Sequence, residues 1–259
     1  MSKIAVAALL AAALFVGMLI LLEIGRRVGN LRLARDPKGA RAGTGVVEGA
    51  VFALVGLLIA FTFSGAASRF DQRRDLIVQE TNMIGTAYLR LDLLSADARA
   101  DVQADFRRYV DARLNAYRLL PDIRAAQAEL ARAAALQQSI WDEVVAAGQE
   151  PGAAADAIKL LLPALNDMFD ITTTRTLAVQ LHPPMAIYLM LVFLALASAL
   201  LAGYSMAGGR SRNWLHMVAF VAVMASAVYV IIDIEFPRLG LVRVDAFDQA
   251  LVELRATMD

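Results

Sequence analysis

The stretch GAVFALVGLLIAFTFSGAAS, residues 49–68, carries no charge over 20 positions and runs directly into RFDQRRDLIVQETNMIG, residues 69–85, where charge is dense. At about 1.5 Å of rise per residue, a helix of that length crosses roughly 30 Å of hydrocarbon. No breaker interrupts the junction, and none occurs before Gly85. The stretch therefore reads as one helix that crosses a membrane and continues, unbroken, into a polar region.

Three more uncharged runs are long enough to span: Ile4–Leu22 with 19 residues, Pro184–Ala207 with 24 and Asn213–Ile232 with 20. The chain of 259 residues is 59% hydrophobic, with a mean hydropathy of +0.55, well above a soluble domain. The fold class expected is all-α: a polytopic membrane protein with four transmembrane helices and a helical bundle inserted between the second and third. The expected divisions are a first transmembrane hairpin with a basic loop (1–68), an extramembrane helical insert (69–182), a second hairpin (183–235) and a short amphipathic C-terminal helix (236–259). The first run follows Lys3 but is long and is succeeded by EIGRR instead of a small-residue cleavage site, so it reads as an uncleaved anchor.

Orientation follows the Lys/Arg count of the short loops. Arg26, Arg27, Arg32, Arg35, Lys38 and Arg41 face a single acid, Asp36, in the first loop, and Arg210 with Arg212 occupies the loop after the third span. Placing both loops in the cytoplasm puts the N-terminus, the insert and the C-terminus on the non-cytoplasmic side. Arg69, Arg73 and Arg74, just after the second span, run against this count.

Composition excludes several chemistries. There is no Cys, hence no disulfide, thiolate nucleophile or Cys-held metal, and His182 and His216 are the only histidines. A carboxylate-only Ca²⁺ or Mg²⁺ site stays open, but no EF-hand-like spacing, cofactor motif, nucleophile elbow or phosphate-binding glycine loop is present, so no metal ligand, cofactor or catalytic residue is assigned and no enzyme is expected. A formal net charge of zero offers nothing to nucleic acid. The partners expected are the lipid bilayer and further copies of the chain, with an ion or small ligand of unknown identity.

Within the insert, Val102, Phe106, Val110, Leu114 and Tyr117 fall on one helical face, with Ser95 as its N-cap. Pro121 suits the first turn of the next helix, and Gly148 with Pro151 marks its end. Ile158, Leu162, Leu165, Phe169 and Thr172 line a further helix over 153–181, kinked at Pro163. In the tail, Val244, Phe247, Leu251, Leu254 and Met258 form a stripe headed by Asp245, suited to a heptad seam, a membrane surface or burial against the insert. Glycines 49, 56 and 65 suggest close helix contacts in the second span.

Carboxylates at hydrocarbon boundaries are costly unless paired or hydrated, which singles out Glu23, Glu48, Asp233 and Glu235. Glu23 and Glu48 read as partners of Arg26 or Arg27, or as lining a pore mouth. In IDIEFPRLG, residues 232–240, Pro237 stops the helix near Glu235, Arg238 can pair with Glu235, and Asp233 can face Arg69. The stretch therefore reads first as a structural corner. His182, before two prolines, reads as a cap of the third span. DITTTRT, residues 170–176, offers hydroxyls and Arg175 either to an anion or to buried backbone. Phe52, Phe61 and Phe63 are candidates for an apolar pore constriction, against ordinary packing.

Four blocks in order carry a resemblance: residues 48–74, EGAVFALVGLLIAFTFSGAASRFDQRR; residues 79–94, QETNMIGTAYLRLDLL; HPP at 182–184; and DIEFPRLGLVRVD at 233–245. Together they resemble the bacterial bestrophin-like integral membrane family. That resemblance implies a bacterial inner-membrane protein whose distant relatives, the bestrophins, are oligomeric anion channels with four membrane helices per subunit. It points to Glu48, Arg69, Glu80, Arg90, Asp92, His182, Asp233, Glu235 and Arg238 as the positions to test. It also implies a cytoplasmic helical domain, opposite to the loop charges. The function expected is an oligomeric, anion-conducting channel; the alternative is a non-conducting scaffold or sensor whose insert binds a partner or ligand.

Overall fold

A computed structural model describes residues 3–36, 44–151, 155–209, 213–238 and 240–259. Lys38, Arg41, Arg210 and Arg212, which contribute to the loop-charge count, lie outside the described residues. The described residues form eight α-helices and no strands: α1 (Lys3–Arg35), α2 (Thr44–Arg90), α3 (Ala96–Arg118), α4 (Ile123–Gln149), α5 (Ala155–Gln180), α6 (Met185–Ser205), α7 (Trp214–Glu235) and α8 (Gln249–Ala256). Helices α1, α2, α6 and α7 are long and apolar enough to cross a membrane. The chain divides into two compact units, one of residues 1–69 with 182–242 and the other of 70–181 with 243–259.

In the membrane unit, α1 packs on α6 and α7. Leu14, Met18 and Leu22 are buried along α1 at intervals of four, one stripe of a helix surface. The contact with α6 is made by small residues. A Cβ on Gly203 would lie 1.9 Å from the Leu22 carbonyl oxygen, and one on Gly25 would lie 2.0 Å from that of Leu200. Bare backbones can meet this closely only where the side chain is absent. The glycines expected to pack in the second span behave differently, since Gly49 and Gly56 have nothing within 4 Å of an added Cβ. The close-packing signal was instead Gly25-x-x-x-Gly29, in the helix extending beyond the first apolar run.

In the second unit the α3 face is as the spacing implies, with Val102, Phe106, Val110 and Leu114 in the core. Ser95 holds the N-cap position through its carbonyl, which accepts from the Arg99 amide at 2.9 Å, and its side chain makes no capping bond. Pro121 does not open α4. Asp122 caps it, Oδ1 accepting from the Ala125 amide at 3.1 Å. Pro163 lies inside α5, whose buried stripe is Ala157, Leu161, Leu165, Met168, Ile171 and Arg175. Ile158, Leu162 and Phe169 flank it, half-buried, so the stripe is rotated about one residue from the expected one because small alanines share it. Gly85 does not end α2, which continues to Arg90; Leu254 Cδ1 would sit 3.3 Å from a Cβ there. Of the three settings open to the tail stripe, burial is the one adopted, with Leu251 and Met258 in the same core as Phe106 and Leu165.

Gly203→Ala is expected to cost about 1–3 kcal/mol through backbone overlap with Leu22. Gly56→Ala, with open space around it, should leave stability level or raise it by up to about 1 kcal/mol through helix propensity. Thermal unfolding of the detergent-purified protein checks the pair, and equal effects of the two substitutions would remove the backbone contact as the basis of α1–α6 packing.

Candidate functional site

Two clusters hold many of the residues singled out from sequence. In the membrane unit, α7 ends at Glu235, where Phe236 leaves helical geometry at φ −119° and ψ 64° ahead of Pro237. Glu235 is 0% exposed and accepts from Arg69, through Nε at 2.6 Å and through Nη2. His182 Nδ1 lies 3.3 Å from the other carboxylate oxygen, and its ring packs 4.8 Å from that of Phe236. Arg69 therefore meets Glu235 and not Asp233. Asp233 instead turns to the chain ahead of it: its carboxylate accepts from the Leu241 amide at 2.9 and 3.0 Å and from the Val242 amide at 2.8 Å. Gly240 permits this approach, since a Cβ there would fall 2.1 Å from Asp233 Oδ1. Residues two apart on a helix point about 200° apart, so each acid meets its own partner. Arg238 lies in the turn after the helix.

At other positions of the same unit, Glu23 Oε1 accepts from Arg27 Nε at 3.0 Å, the expected pair. Glu48 does not pair with Arg26 or Arg27; its Oε2 accepts from the Ser205 hydroxyl, and its Oε1 is buried without a hydrogen bond among the described residues. Of the phenylalanines, Phe52 is half-buried with its ring edge-on to Phe220 at 6.1 Å, whereas Phe61 and Phe63 are 67% and 45% exposed.

The other cluster is the polar centre of the second unit. Glu80, from α2, is 0% exposed. Arg113 of α3 donates from Nε to Oε1 at 2.7 Å, and Arg175 of α5 donates from Nη1 to Oε2. Arg175 also donates from Nη2 to Asp248 Oδ1 at 3.0 Å, and Arg113 from Nη2 to the Tyr117 hydroxyl at 2.7 Å. Both guanidiniums lie over the Tyr117 ring, at 4.1 Å for Arg175 and 5.3 Å for Arg113. Burial pushes the Glu80 carboxyl up, but the two arginines outweigh burial and hold it below the usual carboxylate range. Beside them, Tyr109 is pushed up to about 12 by burial, against the opposing charge of Arg113. Its hydroxyl lies 2.9 Å from Thr172 Oγ1 and accepts from Gln137 Nε2 at 3.3 Å.

Sequence singled out Glu80 and Arg175 separately but not Arg113, Tyr117 or Asp248 as their partners. The available signal was Arg113 itself, a charge set inside the apolar face of α3. The hydroxyls of DITTTRT serve backbone, Thr172, Thr173, Thr174 and Thr176 each bonding a carbonyl four residues earlier. Arg90 and Asp92 stand apart from the centre: Arg90 donates to the Leu160 carbonyl at 2.6 Å, and Asp92 lies 3.6 Å from Arg99 at the surface. Among the described residues no group of three or more His, Asp or Glu is arranged to hold a metal ion.

A family model described as the bestrophin-like domain matches residues 11–246. Solved structures of a bacterial bestrophin homolog from Klebsiella pneumoniae share the fold. One single-substitution variant has a TM-score of 0.70 at 16% identity, covering 94% of this chain and 98% of that one. Another has a TM-score of 0.70 at 14% identity with the same coverage. A third structure has a TM-score of 0.66 at 15% identity, covering 92% and 97%. No curated protein matches the chain.

Glu80→Gln is expected to destabilise the second unit by about 3–5 kcal/mol, since two buried guanidiniums would share one neutral amide. Because the folded carboxyl lies below its ordinary value of 4.5, its contribution is present above that pH and lost as pH falls through the lower folded value. Wild-type Tm should therefore fall in that acid window and the Glu80→Gln profile should be flatter; parallel profiles would contradict the assignment. Asp233→Asn should reduce the yield of folded protein before it alters any transport, as read by size-exclusion chromatography beside an ion-flux assay.

Proposed function

The chain belongs to the bestrophin-like family, and from that membership we propose that several copies assemble around a common axis into a membrane channel that conducts anions. The architecture is channel-type and not that of a known enzyme family. Four helices per chain are too few for a wide path, so several subunits would surround one pore.

The observation that carries the reading is the uncovered state of α2. Across residues 49–68 only Val55 and Ala66 are buried within the chain, while Leu54, Leu57, Phe61 and Phe63 are exposed. By contrast, α7 buries Met217, Val221, Ala225, Val228 and Ile231 in a continuous stripe. The span with the least packing inside its own chain is the one available to pack around an axis with its copies. On it, Phe52 and Phe63 are separated by about three helical turns and share a face, and these two form the proposed apolar constriction, which gates by dewetting, while Phe61, two positions from Phe63, faces the other way. The boundary acids and Arg69, His182 and Arg238 are proposed to fix the ends of the spans that frame this path.

A second reading, a scaffold or sensor, is favoured by one feature of the helical insert. A cleft of about 350 Å³ between α4 and α5 is lined by Gln137, Trp141, Asn166, Phe169, Asp170 and Thr173 among others. This mixture of aromatic and polar side chains suits a small ligand.

Native mass measurement in lipid nanodiscs should give a closed ring of about four to six copies. A monomer would remove the shared path and put the sensor reading first. In chloride-loaded liposomes, Phe52→Ala and Phe63→Ala should raise anion flux, and unchanged flux in both would remove the constriction. We also propose that the protein resides in a bacterial inner membrane with the insert outside the cytoplasm, as the loop charges imply. The chain lacks cysteine, so a single Gln149→Cys label site reports this directly. An impermeant maleimide should modify it in intact spheroplasts, and protection until lysis would put the insert in the cytoplasm.

A further inference from the structure

We propose that a cavity formed by α1, the end of α6 and the start of α7 binds a phosphate group. The cavity, about 240 Å³, is lined by Arg26, Met206, Asn213, His216 and Met217. All five belong to the membrane unit. Arg26 follows the first apolar run and Asn213 opens the last, so the cavity lies at one end of the spans.

Arg26 is only 9% exposed. Its Nη2 donates to the Gly209 carbonyl at 3.4 Å, while its Nη1 is buried and makes no hydrogen bond among the described residues. A guanidinium is always charged, and one removed from water needs a counterion or a full set of acceptors. Among the described residues, neither Glu23 of the same helix nor Glu48 of α2 supplies it. Glu23 pairs with Arg27, Glu48 accepts from Ser205, and neither forms an ion pair with Arg26 among the described residues.

The rest of the lining is also suited to negative charge. Asn213, His216 and Met217 belong to the N-terminal turn of α7, a 22-residue helix whose positive dipole end lies there. Asn213 is the N-cap, its Oδ1 accepting from the His216 amide at 3.4 Å. A guanidinium, an imidazole and a helix start together call for an oxyanion with several acceptor atoms. The volume exceeds what a halide fills and accommodates a tetrahedral phosphate with part of an ester substituent. Met206 and Met217 provide an apolar wall for such a substituent. The group can come from free phosphate or from the phosphodiester of an anionic phospholipid. All five lining residues come from one chain, and binding there does not depend on conduction.

The test uses the 259-residue protein in a phosphate-free maltoside detergent, with Tm as the readout. One arm adds inorganic phosphate, a second adds short-chain phosphatidylglycerol, and a third adds chloride at matched ionic strength. Ligand near a hundredfold above Kd should raise Tm by about 5 °C. A rise with phosphate assigns free phosphate, and a rise with phosphatidylglycerol alone assigns the lipid headgroup. Either rise should vanish in Arg26→Gln. No rise in either arm, an equal rise with chloride, or a full response in Arg26→Gln overturns the proposal. Asn213→Asp guards against misfolding of that variant, because Asp caps a helix as well as Asn and places a carboxylate beside Arg26. It should raise the ligand-free Tm and lose the phosphate response; a wild-type response in Asn213→Asp also overturns the proposal.

Discussion

A carboxylate with no exposed surface remains ionised only where positive charge and hydrogen-bond donors replace its water. Glu80 meets that condition by drawing Arg113 from α3 and Arg175 from α5 onto the polar half of α2, with Asp248 in turn holding Arg175. Two acids and two arginines leave the centre formally neutral. Around it the apolar core closes: Phe106, Leu161, Leu165 and Leu251 are buried on the helices whose side chains meet there. Hydrophobic burial supplies most of the driving force, but it is non-directional. The ion cluster selects one angular setting for each helix, because any rotation would leave a charge buried without its partner.

The membrane unit answers a different constraint. Between helices in hydrocarbon there is little hydrophobic gain, so close backbone approach and hydrogen bonds carry the association. Gly25 and Gly203 allow α1 and α6 to meet at backbone distance, and polar ties hold the ends of the spans. Asn30 Oδ1 accepts from the Gly208 amide at 2.8 Å, where Gly208 adopts φ 81° as α6 ends. At the close of α7 the two acids divide their work, Glu235 meeting Arg69 and Asp233 meeting backbone amides. IDIEFPRLG is thus a corner in which each carboxylate is already saturated.

The four spans and the unbroken passage of α2 into the polar region were legible because both depend on local physics. The length of an apolar run sets whether a helix crosses a bilayer, and its backbone is satisfied within the helix. The α3 face and the stop at Pro237 were legible for the same reason, being set by periodicity and backbone sterics. The α5 stripe was displaced by one residue because Ala157 and Ala164 weigh little in a hydrophobic pattern yet mark where neighbouring helices come closest. Gly85 read as a breaker, although a glycine costs only about 1 kcal/mol in a helix and packing can offset that.

The sequence by itself determined the class of protein, the number of spans and which residues carry charge in costly places. It left the pairing of those charges open. Glu80 meets residues 33 and 95 positions away, and Arg69 meets one 166 positions away. Each residue turns about 100° around its helix, so a shift of one position exchanges one partner for another. Asp233 and Glu235 show the consequence, since two positions decide between gripping a turn and neutralising an arginine. Helix formation is a local property, whereas partnership depends on the angular settings of several helices at once, and only the tertiary structure decided those.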